Sequence, residues 1–397
     1  MIPNKNTFCI APFKHASINN TGKLKICCNS SETATVDYSE SDSWFNSSTL
    51  NNLRKNLISG IKDKICQKCW DMERKGHKSL RQDYNRHIGK ILAKHWDKNF
   101  DKRNTKLWNV LNNIDFNNVD SFDLKLGNLC NLKCIMCGPK FSTQLYAEAK
   151  LNPSLEQFYP EMVPPQTWPE SKKFKEWIKT NTVDSMHIKF TGGEPMMNPW
   201  LMDVLANITD TQKSKCILHF TTNLTILNQS LLEMFSKFKE VWISISVEGI
   251  GATLEYARYG HKWIDLKSNI EILRNFGMNK KIFLEINHVI QASTILGVFD
   301  LAKYFDQYKI DICPIALSDP KCFTLQSIKT KHKLDLIQKC KLYNGYNKNF
   351  VNFIEKHLEE NLTYDTNLAK QCVYRLKTFD KVRKNSFETI IPIDYFI

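Results

Sequence analysis

Residues 126–139 read LGNLCNLKCIMCGP, with cysteines at positions 130, 134 and 137. Just before them, FDLKL (122–126) puts Phe122, Leu124 and Leu126 on one face, the alternation of a half-buried strand. The C-x3-C-x2-C spacing supplies three thiolates. A [4Fe-4S] cube takes four ligands, one per iron, so three cysteines leave one iron open. Structural zinc sites close with four ligands, usually as paired C-x2-C knuckles. The spacing here fits that pattern poorly.

Five more strand-like runs follow downstream. They are MHIKF (186–190), CILHF (216–220), VWISISV (241–247), IFLEINHVI (282–290) and IDICPIAL (310–317). Helical patterns lie between them. One opens at Asn198-Pro199 with Leu201, Val204, Leu205 and Ile208 on a stripe; another carries Leu266, Ile270 and Leu273 and stops at Gly277. Strands alternating with helices give parallel βαβ units, and six of them predict an open or closed α/β barrel. In such barrels chemistry sits at the C-terminal strand ends, which is where the cysteine run falls.

Here the chain resembles the radical S-adenosylmethionine (SAM) superfamily. Cys130, Cys134 and Cys137 match its cluster motif, with Met136 where an aromatic residue is common. The second strand ends in KFTGGEP, and Gly192, Gly193, Glu194 and Pro195 match the family's GGEP motif, which holds the amino group of SAM. The fourth strand ends in SISVEG. Ser246 and Glu248 leave it on one face and resemble a Ser-x-Asp-Gly run that contacts the SAM ribose. Glu248 stands in the Asp position. Asn223 ends the third strand, and Arg258, in EYARYG, resembles an arginine that pairs with the SAM carboxylate. Asn287, His288 and Gln291 end the fifth strand without an assigned role. The resemblance implies a partial (βα)6 TIM-like barrel holding a [4Fe-4S] cluster and SAM. The reduced cluster would cleave SAM to a 5′-deoxyadenosyl radical, and a reducing partner such as flavodoxin or ferredoxin would supply the electron.

A second set, Cys9, Cys27, Cys28, Cys66 and Cys69, precedes the barrel. It resembles the front part of the SPASM pattern, and more closely its half-size twitch version. That implies one auxiliary [4Fe-4S] cluster on Cys9, Cys27, Cys66 and Cys69. Cys28 competes with Cys27, although a residue one place along a strand points the other way. Four thiolates also suit zinc, which is redox-inert. In most relatives this domain follows the barrel; here it comes first. Cys216, Cys313, Cys322, Cys340 and Cys372 are scattered and read as buried apolar residues.

The implied order is a twitch-like domain (1–75), a basic helical connector (76–119), the barrel (120–318) and a mostly helical extension (319–397). Residues 151–168 read as an inserted loop, and FETIIPIDYFI (387–397) is apolar enough to dock on the body. No apolar run reaches the length of a membrane span, and no signal peptide is evident, so a cytoplasmic, reducing location is expected. The net charge of +14 is partly concentrated at Lys78, Arg81, Arg86, Lys90, Lys94, Lys98, Lys102 and Arg103. That run reads either as the solvated face of a core-packed helix or as a surface for an anionic partner. Relatives with auxiliary clusters commonly modify peptides or proteins, so a peptide or protein substrate is expected. A nucleic acid, a small molecule, or a non-enzymatic metal-thiolate module that binds nucleic acid are the alternatives.

Overall fold

The described residues of the computed structural model are 4, 6–31, 35–40, 44–74, 76, 78–92, 119–182, 185–277 and 281–397. Eleven strands lie among them: β1 (His15–Ile18), β2 (Lys23–Lys25), β3 (Val36–Asp37), β4 (Ser121–Lys125), β5 (Lys133–Cys134), β6 (His187–Thr191), β7 (Ile217–Thr222), β8 (Glu240–Ser246), β9 (Arg258–Tyr259), β10 (Ile282–Ile290) and β11 (Asp311–Ala316). Nine form one sheet in the order β11-β10-β8-β7-β6-β4-β1-β2-β3, while β5 and β9 make a separate ribbon.

The six strands expected from the sequence are β4, β6, β7, β8, β10 and β11. They stand side by side and parallel, as the open sheet of a partial barrel requires. The helices between them bury the expected stripes. Leu266, Ile270 and Leu273 of helix Trp263–Gly277 face the core, as do Leu201, Val204 and Leu205 of helix Leu201–Asn207.

The alternation within each strand separates two chemistries. Phe122, Leu124, Ile188, Phe190, Leu218, Phe220, Ile243, Ile245 and Ile286 are buried on the helix-packed face. The Phe190 and Phe220 rings stack there at 5.5 Å, a contact worth about 1 kcal/mol beyond its buried area. The register puts Asp123, Lys189, His219 and Trp242 in one row on the opposite, inner face. Ser244 pairs with Glu285 and Ser246 with Asn287 on the same face. A closed barrel fills this space with branched apolar side chains. Here the same face carries polar side chains, several of them buried.

One strand lies outside the expected barrel. β1 pairs in parallel with β4, His15 opposite Ser121 and Ile18 opposite Leu124, and β2 then returns antiparallel. The N-terminal segment is thus continuous with the barrel's sheet across the boundary drawn at residue 75. Lys14 and Asp120, 3.1 Å apart and largely buried, fix the join. The basic connector forms helix Leu80–Leu92, and residues 93–118, with Lys94, Lys98, Lys102 and Arg103, lie outside the described residues. The charges that are described are paired: Arg81 with Glu73, and both Lys78 and Arg86 with Asp83. Cys216, Cys322, Cys340 and Cys372 are buried as expected, but Cys313 is exposed. It stands on β11, at the edge of the sheet, where only one neighbouring strand covers it.

The C-terminal extension closes over the cluster loop. Arg383, at the end of helix Thr366–Arg383, meets Glu148 of helix Thr143–Leu151 through two contacts of 3.1 and 2.7 Å. Lys133 of β5 meets the same carboxylate at 3.1 Å. Arg383 also stacks on Phe379 and Tyr259. The tail docks through Phe387, Ile391 and Phe396, all buried. Replacing Glu148 with Leu leaves Arg383 buried without its carboxylate. The expected outcome is a stability loss of about 3–5 kcal/mol, read as a lower urea midpoint at unchanged slope.

Candidate active site

The loop after β4 is built by its own hydrogen bonds. Gly127 turns it at φ +73°, a conformation that favours glycine. The Asn128 side-chain amide donates to the carbonyls of Pro139, Val163 and Pro164, while its oxygen accepts from Gln166 N–H. The stretch read as an inserted loop therefore braces the cysteine run. Ser142 Oγ donates to Leu132 O at 2.6 Å and Thr143 Oγ1 to Cys130 O at 3.2 Å. β5 pairs antiparallel with β9, which sets Cys134 opposite Arg258.

The GGE turn after β6 packs directly on this loop. Gly193 N–H donates to Gly127 O and Glu194 N–H to Leu129 O. A Cβ at Gly193 would lie 2.2 Å from Leu129 O, and one at Gly192 2.9 Å from Gly127 O. Both glycines are needed for this approach. The neighbour they admit is the backbone of the cysteine loop.

Glu194 is fully buried, and its carboxylate accepts from Met196 N–H at 3.0 Å, Thr222 Oγ1 at 2.8 Å and Asn223 N–H at 2.6 Å. Burial pushes its carboxyl up to about 7, against the pull of those donors. Asn223 donates to Asn131 Oδ1 at 3.1 Å and lies 3.9 Å from Cys130 Sγ. His261 Nε2 meets its carbonyl at 2.7 Å. Arg258 grips fully buried Glu248 through Nε and Nη2, the latter at 2.9 Å, and reaches Cys134 Sγ with Nη1 at 3.7 Å. The two residues expected at the SAM ribose and carboxylate therefore hold one another. Ser246 lies on the inner face in register with Asn287. His288 and Gln291 are fully buried, and His288 Nδ1 meets Val247 O at 2.9 Å.

A model of the Radical SAM superfamily matches residues 124–291. These residues are a radical SAM domain. They include all of the residues just described around Cys130, and the superfamily is one of enzymes that use a [4Fe-4S] cluster and SAM. The uncharacterized protein MJ0907 of Methanocaldococcus jannaschii is 26% identical over 129 residues, which are 32% of this chain and 38% of that protein. The chain thus matches well under half the length of this curated relative. Among solved structures, Streptococcus suis SuiB bound to precursor peptide SuiA aligns at TM-score 0.37 and 13% identity, over 83% of this chain and 64% of that one. Native anSMEcpe with bound AdoMet aligns at TM-score 0.36 and 14% identity, over 65% of this chain and 60% of that one.

The residues of the radical SAM domain fit a cationic cluster. Cys130 and Cys134 are buried and Cys137 half-buried. Burial and the neighbouring thiols push Cys130 up to about 12 and Cys137 higher still. Three gathered thiolates in such a place need more positive charge than Arg258 supplies, and iron provides it. As placed, no three Cys, His, Asp or Glu side chains among the described residues close on a single ion. A cube does not ask for that, because each thiolate takes its own iron.

The N-terminal cysteines also converge. Cys9, Cys27, Cys66 and Cys69 line one small cavity together with Arg81 and Tyr84. Burial, then the other thiols, raises Cys27 well above its ordinary value. Cys28 does not line that cavity.

Sequence reading missed a polar chain that runs from Tyr84 of the N-terminal cavity along the first residues of β1, β4 and β6. Tyr84 OH meets His15 Nε2 at 2.9 Å, His15 Nδ1 meets Ser121 Oγ at 2.9 Å, and Ser121 Oγ meets His187 Nδ1 at 3.0 Å. A polar residue opening each of β1, β4 and β6 was the available signal. Burial holds His15 down to about 4, from 6.5, so it is neutral in the fold. Below about pH 6.5 the unfolded chain takes up a proton that the folded chain refuses, so stability falls as pH drops towards 4. Between pH 7 and pH 4 the wild type should lose about 3 kcal/mol more than His15→Gln, read from urea midpoints at each pH. For the thiols, Cys27→Ser should remove about four irons per reconstituted chain and Cys28→Ser none, as measured by iron analysis.

Proposed function

We propose that this chain is a radical SAM enzyme that abstracts a hydrogen atom from a peptide or protein, with a second [4Fe-4S] cluster on Cys9, Cys27, Cys66 and Cys69. The observation that carries this reading is the meeting of Cys130, Cys134, Asn223, Arg258 and Glu194 where the ends of β4, β6 and β7 meet the β5–β9 ribbon. When bound, the cluster and SAM supply a 5′-deoxyadenosyl radical at the cost of one electron.

The protein's own groups do the rest. Cys130, Cys134 and Cys137 would hold three irons of the cluster, and no fourth cysteine stands in the loop to close the last. Gly192 and Gly193 keep the GGE turn against that loop. Glu194, locked by three donors, fixes the end of β7 and so places Asn223 beside Cys130. Arg258, itself held by buried Glu248, keeps a positive charge at Cys134, and Ser246 stands on the inner face at the end of β8. The polar inner face gives the substrate a hydrated entry, and burial of the cluster loop keeps water from the reacting atom. Tyr84 of the N-terminal cavity and His15 lead by hydrogen bonds to Ser121 and His187 at the starts of β4 and β6, and a cluster in that cavity would serve electron transfer.

A peptide is favoured over a nucleic acid because Lys78, Arg81 and Arg86 are engaged with Asp83 and Glu73. Binding to phosphates would weaken steeply between about 50 and 200 mM salt. The deciding experiment is anaerobic reconstitution, reduction with dithionite and incubation with SAM. Wild type should form 5′-deoxyadenosine and hold about eight irons. Cys130→Ala should form none. Cys66→Ala should keep about four irons and still cleave SAM. An intact cluster that yields no 5′-deoxyadenosine would sink the proposal.

A further inference from the structure

The C-terminal helix Thr366–Arg383 has two unlike faces. Ala369, Cys372, Val373, Leu376, Phe379 and Arg383 are buried. Lys370, Tyr374, Lys377, Lys381 and the capping Lys384 recur at i, i+4, i+7, i+11 and i+14, so they share one outer stripe, about 20 Å long. All of them are exposed, Tyr374 by 55%. None of these lysines forms an ion pair among the described residues. The one carboxylate within the helix, Asp380, is turned away from the stripe and accepts from Tyr256 OH at 2.8 Å and Phe387 N–H at 2.9 Å. A merely solvated face interleaves its lysines with acids one turn away. This one leaves them unpaired around an exposed ring.

The stripe ends beside the cysteine loop. Just past Lys384, Asn385 and Thr389 face Tyr259 and His261 across a cavity of about 570 Å³, a size that admits part of a cofactor. The β5–β9 ribbon has two faces. Cys134 and Arg258 are paired and share one; Lys133 and Tyr259 share the other, with Lys133 Nζ 5.1 Å from the centre of the Tyr259 ring. Tyr259 belongs to the cavity wall, and its chain neighbour Arg258 reaches Cys134 Sγ at 3.7 Å. His261, in the same wall, meets Asn223 O at 2.7 Å, and Asn223 lies 3.9 Å from Cys130 Sγ. Cys134 and Cys130 are thus each reached from the cavity wall through a single intervening residue.

We propose that the stripe from Lys370 to Lys384 and the adjoining cavity form the docking face for a small acidic electron-transfer protein, which seats the exposed edge of its flavin or iron–sulfur group against the β5–β9 ribbon. The redox step rests on the function proposed above; the face for an acidic protein does not. The carrier gives up one electron and the cluster held by Cys130, Cys134 and Cys137 takes it, with no bond made or broken. A substrate has to enter on the inner face, whereas an electron donor needs only to come close from outside. Unpaired lysines draw in an acidic surface over a distance, and Tyr374 gives it one apolar contact. A nucleic acid is favoured less, because one ring offers no succession of platforms for unstacked bases.

The test uses the full chain, reconstituted with iron and sulfide. An acidic flavodoxin and an acidic [4Fe-4S] ferredoxin are the probes. Binding of each oxidised carrier is measured by titration calorimetry. Reduction of the cluster by each reduced carrier, or by dithionite, is followed by stopped-flow absorbance. At about 50 mM salt wild type should bind at least one carrier, and binding should weaken steeply by about 200 mM. Lys377→Glu/Lys381→Glu should weaken that binding and slow carrier-driven reduction about tenfold, with dithionite-driven reduction unchanged. Lys237→Glu/Lys303→Glu, at exposed lysines on other helices, makes the same change of net charge and should alter neither. Wild type that binds neither carrier overturns the proposal. So does a control pair that loses as much as the stripe pair, an equal loss with dithionite, or a single-stranded oligonucleotide that binds wild type tighter than either carrier at about 150 mM salt. Failure to form 5′-deoxyadenosine once SAM is added would count against the enzymatic reading alone, because carrier binding and cluster reduction do not require SAM.

Discussion

No side chain fits between residue 193 and the carbonyl of Leu129, and the site depends on that fact. Gly193 and Glu194 lay their amides on the cysteine loop, which ties the end of β6 to the end of β4. Glu194 is thereby turned inwards, where Met196, Thr222 and Asn223 saturate it, and β7 is tied in turn. Arg258 completes the enclosure from the β5–β9 ribbon. The thiol of Cys130 thus has Asn223 at its side for a reason that begins with a missing Cβ.

The two faces of the sheet divide the remaining work. On one, phenylalanine, leucine and isoleucine pack on helices and give the structure its rigidity. On the other stand lysine, aspartate, serine and histidine. Both faces come from the same strands, because residues alternate across them. A strand such as FDLK therefore contributes a core and a lumen at once. The C-terminal helix acts on neither face. Through Arg383, Glu148 and Tyr259 it presses on the loop that carries the cysteines.

The six main strands were legible because each is a run of alternating or continuous apolar residues bounded by polar turns. β1 was not. HASI is four residues long, and its partner lies more than a hundred residues downstream, so no local pattern marks it. The exposure of Cys313 escaped for a related reason: edge position is a property of the sheet and leaves no trace in IDICPIAL. The cysteine spacings and GGEP marked the site. The pairing of Arg258 with Glu248 was hidden, since the two residues sit on different elements and each had a separate role by resemblance.

The distant partner of β1 has a further consequence for how the molecule is made. A nascent chain emerging from the ribosome presents Cys9, Cys27, Cys66 and Cys69 well before residues 121–125 exist to receive β1. Closing so long a loop carries an entropic cost that local contacts do not repay. Until β4 arrives, those four thiols belong to a segment whose sheet lacks its central neighbour. The cavity that those four thiols line is thereby completed only once the first strand of the barrel has been made.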